Sequence, residues 1–402
     1  MRSSLTLSVV LAMMLGFTGG AHAQNEKPAA DGVNDSFPFQ LFQEIAKGKQ
    51  KANVLISPLS VSTALGMTYA GAGGETKSAL AKVLNFAPGA TDEAINQQTK
   101  ATLDSLREPG GDTKLEIANA IIGDKNVTFK QPFLDTNTKF FDAEVQSLDF
   151  KAPESVNTIN SWVSKKTHEK IPTILSAIAP DAILYLINAI YFKGTWENKF
   201  EKSETREQNF NTAGNGTKKV QMMHDSRSDF RYMENDQFQA VRLPYADKRL
   251  SMYVFLPKEN QTLLSFETNL SQSVWQEWMN HFRKRTGEVG LPRFKIADSM
   301  EMTSPLSALG LDVAFSEGRA DFSEMVETAQ RVFISKVLHK TFMEVNEEGT
   351  EAAAVTAIEM SVTSAPANPV PPFVMIVDRP FFIALSDEQT GKILFAGHIA
   401  NP

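Results

Sequence analysis

His168 and Glu169 open "HEKIP", the start of a zinc-protease helix motif in which two histidines one turn apart hold the metal and the glutamate activates water. The place of the second histidine is taken by Pro172, which offers no ligand and breaks a helix. A solvated charged turn is expected there. "GAGGETKS" from Gly71 has the composition of a phosphate-cradling loop, but its spacing fits neither G-x-x-x-x-G-K-[ST] nor G-x-G-x-x-G. A turn between two helices is expected instead. No G-x-S-x-G nucleophile elbow occurs, and the absence of cysteine excludes thiol catalysis. His224, His281 and His398 have no cysteine or carboxylate at metal-ligand spacing and read as ordinary surface or core histidines. No enzyme chemistry, metal or cofactor is expected from these residues.

The residues with a pattern are those of a backbone, in "EEGTEAAAVTAIEMSVTSAPANPVPP" from Glu347 to Pro372. Its first half favours a helix by propensity, with Thr350 as a cap and a run of alanines behind it. As an amphipathic helix it is poor, because the apolar residues are small and four prolines, at 366, 369, 371 and 372, end any regular structure. Taken with period 2, the stretch becomes orderly. Positions 350, 352, 354, 356, 358 and 360 are Thr, Ala, Ala, Thr, Ile and Met, a face without charge; Glu351 and Glu359 fall on the other, with Ala353, Val355 and Ala357. No proline interrupts Glu347 to Ala365. Such a segment keeps every backbone donor and can enter between two existing strands and pair with both.

The elements that would hold it are mixed. Helical spacing covers Ser36 to Ile45, Ser57 to Met67 after a Ser-Pro entry, Glu75 to Leu84, Asp92 to Leu106, Asn157 to Lys166, Leu264 to Phe282 and Met302 to Leu309. Ile183 to Phe192 is a nearly continuous apolar run, suited to a strand buried on both faces in the middle of a large sheet. "DFRYM", "FQAVRLPY", "LSMYVFLP" and "EVGLPRFKIA" read as strands, Val332 to Val345 as a long strand, and "FVMIV", "FFIALSD" and "KILFAGHI" as an antiparallel group. With no repeat and no long linker, one mixed α+β domain is favoured.

Composition agrees with an ordinary globular chain: 402 residues, 42% hydrophobic and 22% charged. A net charge of -7 argues against nucleic acid or an acidic membrane surface as partner. Arg2, the apolar run Leu5 to Phe17 and the small-x-small site at Ala21 to Ala23 read as a signal peptide over residues 1–23, leaving a mature chain from Gln24. The leader is short for a bilayer span and no lipobox cysteine follows it, so a secreted or periplasmic protein is expected. The Asn-x-Ser/Thr triplets at Asn126, Asn215, Asn260 and Asn269 are at the level of chance.

"NVLISPLSVSTALGMTYAGAGGET", "NAIYFKGTWENKF", "HKTFMEVNEEGTEAAA" and "VDRPFFIAL" together make the chain resemble the serpins, protease inhibitors whose reactive loop inserts into their own central sheet. The resemblance spans essentially the whole mature chain, 24–402. It implies a single α+β domain with a large central mixed sheet, further antiparallel sheets, about eight to nine helices and an exposed reactive loop over 347–379. Ser57, Ser60, Asn188 and His339 match the family's polar shutter cluster, and Trp196 matches its breach tryptophan. Glu347, Glu348, Gly349, Thr350, Glu351, Ala352, Ala353 and Ala354 match the hinge of inhibitory members.

The implied activity is suicide inhibition. A serine protease attacks one loop bond and forms an acyl-enzyme, the freed loop becomes a new strand, and the protease is carried along and distorted. The family's usual count from the hinge glutamate puts the bait bond at Thr363-Ser364. The segment beyond it is longer and richer in proline than usual, so Met360, Val362 and Ala365 stay open as alternatives. No Lys or Arg lies between Glu347 and Asp378, which disfavours trypsin-like targets and favours elastase-like or subtilisin-like ones. The alternative is a non-inhibitory carrier, chaperone or plain protease substrate. The implied partner is a serine protease, or a cysteine protease by cross-activity, met by a monomer. No heparin site is expected, since Asp92 to Leu106 carries only Lys100 where heparin-using members have a basic stripe.

Overall fold

Helix starts follow local capping chemistry. Ser57 adopts an extended backbone and its Oγ accepts from the Ser60 amide, with Pro58 just inside the helix; Thr262 and Ser271 cap in the same way. In the computed structural model, which describes residues 36–107, 110, 113–327, 332–350 and 370–402, nine α-helices result. They are α1 (Phe37–Ala46), α2 (Pro58–Tyr69), α3 (Gly74–Val83), α4 (Asp92–Arg107), α5 (Gln131–Phe141), α6 (Glu154–Lys166), α7 (Leu263–Thr268), α8 (Gln272–Met279) and α9 (Thr303–Leu306). Residues 1–23, the hinge from Glu351 to Ala354 and the bait-bond positions lie outside the described residues.

Two of the expected helices are not continuous. Leu264 to Phe282 divides into α7 and α8, because Ser271 caps a new helix from its own side chain, and Phe282 leads directly into a strand. Met302 to Leu309 is α-helical only through Leu306. A wide turn follows and ends at Gly310, whose φ of 105° is left-handed. In "GAGGETKS" the first three residues form the turn between α2 and α3, where a Cβ on Gly71 would meet Phe133 and Met325, and the rest begin α3.

The strands are β1 (Val54–Ile56), β2 (Lys114–Asp124), β3 (Glu144–Leu148), β4 (Leu184–Thr195), β5 (Arg206–Asn211), β6 (Thr217–Glu234), β7 (Phe238–Pro244), β8 (Leu250–Pro257), β9 (Arg283–Pro292), β10 (Phe294–Glu301), β11 (Lys336–Asn346), β12 (Gly349–Thr350), β13 (Phe373–Ile376), β14 (Phe381–Asp387) and β15 (Ile393–Ile399). Six form a mixed sheet in the order β10-β11-β12-β4-β2-β3, and nine form a second, mostly antiparallel system built around the long β6. "EVGLPRFKIA" is two strands rather than one: the chain leaves the second system after Pro292, passes Arg293 and enters the mixed sheet as β10. The long strand expected from Val332 starts only at Lys336. "FVMIV" pairs parallel with β9, so the C-terminal group is not wholly antiparallel.

β4 is the strand its sequence suggests, buried nearly end to end. One face, with Leu184, Leu186, Ile190 and Phe192, turns to the main core between the sheets. The other, with Tyr185, Ile187 and Tyr191, is covered by Ile159 and Val163 of α6. α2 passes beneath the mixed sheet with ten of its twelve residues buried, hydroxyl-bearing side chains among them. β11 lies beside β4 in parallel from Lys336–Tyr185 to Phe342–Tyr191. The described residues form one compact unit.

Candidate functional site

β11 ends at Asn346, Glu347 and Glu348 reverse the chain, and Gly349 and Thr350 come back as β12 between β11 and β4. The turn is held from both sides. The Asn346 Oδ1 accepts the Glu348 amide at 3.0 Å, while Trp196 and Phe200 donate their amides to the carbonyls of Glu348 and Glu347 at 2.9 and 3.0 Å. Gly349 has φ of 143°, and a Cβ there would run into the Gly194 carbonyl and the Thr195 backbone. Glycine is thus required here by close approach and by backbone sign.

Side chains complete the clamp. Trp196 is buried, stacks on Tyr245 at 4.5 Å, and donates from Nε1 to the Asn346 carbonyl at 3.0 Å. The Tyr245 hydroxyl and Thr350 Oγ1 share a hydrogen bond of 2.7 Å, and complete burial pushes the phenol pKa far up. The Glu347 carboxylate is buried and accepts from Arg293 Nε at 2.8 Å, Arg293 Nη2 at 2.5 Å and Thr205 Oγ1 at 2.5 Å. Its burial would raise the pKa, but the Arg293 and Thr205 hydrogen bonds more than offset that and hold it below the usual carboxylate value. Glu348 is lowered by Lys199 and Lys202, at 2.7 and 2.9 Å.

Below this clamp, β11 and β4 are zipped together largely through apolar residues, with one wholly polar pair, His339 and Asn188. His339 is fully buried: its Nε2 accepts the Ser57 amide at 3.0 Å, and its Nδ1 bonds Asn188 Oδ1. Those partners fix the neutral tautomer with hydrogen on Nδ1, and burial pushes the pKa down to about 3. Asn188 Nδ2 donates to Ser60 and, at 2.6 Å, to Asn119 Oδ1. Ser57 Oγ donates to the Leu394 carbonyl at 2.6 Å. Ser57, Ser60, Asn188 and His339 are thus one network joining α2, β4, β11 and β15.

The structure therefore brings the four shutter candidates together, and separately gathers Trp196 with Glu347, Glu348, Gly349 and Thr350. Glu351, Ala352, Ala353 and Ala354, with Met360, Val362, Thr363, Ser364 and Ala365, lie outside the described residues. Arg293, Thr205, Tyr245 and Asn119 were missed, because each is isolated in sequence and acquires its partner only through folding. Two of the histidines read as ordinary have carboxylate partners distant along the chain: His224 Nδ1 faces Glu288 at 2.9 Å, and buried His398 faces Glu267. His168 sits in a left-handed turn after α6.

A family model described as Serpin (serine protease inhibitor) matches residues 32–402. Among similar proteins, Serpin B6 of Macaca fascicularis is 39% identical, over 92% of this chain and 98% of its own length. Leukocyte elastase inhibitor of Equus caballus is 36% identical with the same coverage. Among solved structures, the thermophilic serpin tengpin in its native state superposes with a TM-score of 0.84 at 30% identity, covering 92% of this chain and 93% of that one. Human thyroxine-binding globulin gives 0.84 at 28% identity, covering 93% and 98%.

Proposed function

The chain belongs to the serpin family, and from that membership we propose that it is an irreversible suicide-substrate inhibitor of serine proteases. The observation that carries the proposal is a shared register. At the clamp, Thr350 lies between Val345 and Gly194; in the zipped part of the sheet, Phe342 lies beside Tyr191 and His339 beside Asn188. The offset between β11 and β4 is the same in both regions. Continued insertion thus needs the two strands to separate sideways by one strand spacing, about 4.8 Å, with no slip along their length.

Extending β12 in that register pairs each added residue with one residue of each neighbour. Ala352 comes between Met343 and Phe192, Ala354 between Thr341 and Ile190, Thr356 between His339 and Asn188, and Met360 opposite Leu184, where β4 begins. Thr350 points into the core, so by alternation the charge-free face follows it inward. Glu351 and Glu359 then lie outward beside Lys193 and Lys336, and Val355 is outward too. In that register Thr363 would fall just past the end of the slot, so that insertion would carry an acyl-linked protease to the far end of the sheet.

The chemistry belongs to the target. Its serine Oγ attacks the Thr363 carbonyl, the peptide bond to Ser364 breaks, and the new amine leaves with a proton from the protease histidine, giving an ester. Insertion of residues 351–360 then competes with hydrolysis of that ester. The lack of Lys or Arg through the loop favours an elastase-like or subtilisin-like target, and similarity to an elastase inhibitor points the same way. Mass spectrometry of the released C-terminal fragment checks the bond: a start at Ser364 is expected, and cleavage outside Met360 to Ala365 would contradict the assignment.

Similarity to thyroxine-binding globulin favours a second reading, a serpin-fold carrier. The melting temperature of the loop-cleaved protein separates the two, rising steeply for an inserting loop and staying level for a carrier whose loop remains out. Activation by heparin through α4 is not expected, because Lys100 is tied to Asp104 at 2.6 Å and Arg107 to Asp142 at 2.7 Å. Export through residues 1–23 is part of the proposal, and N-terminal sequencing is expected to find Gln24 first. Among the described residues no helix is long and apolar enough to cross a membrane.

A further inference from the structure

Arg242, Arg231 and Lys284 stand in one row across three neighbouring strands. Arg231 of β6 is in direct register with Arg242 of β7 on one side and with Lys284 of β9 on the other. Residues directly opposite on antiparallel strands point to the same face, and like charges there are destabilising. Arg242 is partly compensated, by Ser251 at 2.9 Å and Glu388 at 3.3 Å. The side chains of Arg231 and Lys284 have no hydrogen-bond or ion-pair partner among the described residues. All three line a groove of about 270 Å³ together with Arg227 and Lys248. Two carboxylates also line it, Glu197 near Lys248 at 3.9 Å and Asp229 near Arg227 at 3.8 Å.

We propose that this groove is a binding site for a tetrahedral oxyanion, the phosphate or sulfate group of a monoester. Two guanidinium groups and an ammonium lining one groove supply the charge and the hydrogen-bond donors that such a group takes. A bound dianion would also remove the like-charge cost that the row otherwise carries. The site is assembled from β6, β7 and β9 and the turn after β4, so it shares nothing with α4 and does not depend on the reactive loop. Through Glu197 and Pro244, whose backbones are hydrogen bonded at 2.9 Å, it adjoins Trp196 and Tyr245, and occupancy stabilises the fold next to the clamp.

Thermal unfolding of the mature protein at constant ionic strength, titrated with inorganic phosphate and inorganic sulfate against chloride, tests this. A saturable rise in melting temperature is expected, as for any ligand bound only by the native state. Replacing both unpaired cations, Arg231→Gln with Lys284→Gln, is expected to weaken binding by at least about tenfold. Without ligand the double variant should melt no lower than the wild type, since repulsion has been removed; Lys284→Gln alone serves as the milder change. Phosphoserine and glucose 6-sulfate, run alongside, separate phosphate from sulfate esters as the source. Absence of a saturable shift in the wild type, or an equal shift in the double variant, would overturn the proposal.

Discussion

Arg293 and Glu347 meet at the turn from which the loop departs, and their burial is unequal. The Glu347 side chain is 3% exposed and that of Arg293 is 44% exposed. Removing the arginine alone strands a carboxylate with only Thr205 for support, whereas removing both leaves nothing uncompensated. Arg293→Met is therefore expected to destabilise the protein more than Arg293→Met combined with Glu347→Gln, by about 1–3 kcal/mol. Urea denaturation of the three proteins checks the order. His339 gives a second test at this scale. Its folded pKa of about 3 lies below the 6.5 of an exposed histidine, so the unfolded chain takes up the proton first as pH falls. The stability contribution is complete above pH 6.5 and is lost towards pH 3, at about 1.4 kcal/mol per pH unit for one proton. Unfolding free energies measured from pH 7 to pH 4 should show a slope one proton shallower in His339→Gln.

Among elements, the decisive pair is β11 and β4, and the loop's alternation against them makes a sharp contrast. Ala354→Glu would place a carboxylate between Thr341 and Ile190, both buried. Val355→Glu would place one on the outer face beside Lys340. The first is expected to convert the protein from inhibitor to substrate and the second to impair inhibition less, since the carboxylate at 355 has the Lys340 ammonium beside it while the one at 354 would be buried unpaired. Moles of inhibitor consumed per mole of protease inactivated is the quantity to measure. Gly349→Ala should destabilise the hinge turn by about 1–3 kcal/mol, because φ of 143° disfavours a Cβ and the Gly194 carbonyl occupies its space.

Much of this level is legible in the sequence where the physics is local. Ser57-Pro58 announces α2, the apolar run from Ile183 announces β4, and the period-2 face of the loop is visible without any structure. The failures are non-local. Nothing in "EVGLPRFKIA" says that its two halves join different sheets; Pro292, which withdraws a donor where β9 ends, is the one local mark. The parallel docking of β13 on β9, and the pairing of Arg293 with Glu347, depend on partners far along the chain. Gly349 was legible as a hinge residue only through the family resemblance, and its actual constraint, contact with the β4 backbone, exists only once the strands are assembled.

For the molecule as a whole, the proposed inhibition requires the zipped β11–β4 seam to part and a cleaved loop to fill it in the register β12 already occupies. Incubation of the mature protein with an elastase, followed by a denaturing gel and mass spectrometry, tests this most directly. A complex that survives boiling is expected, with a C-terminal fragment beginning at Ser364 and free inhibitor that vanishes in proportion to the protease. Cleavage at that bond with no complex, and a cleaved product melting at the temperature of the intact protein, would contradict it.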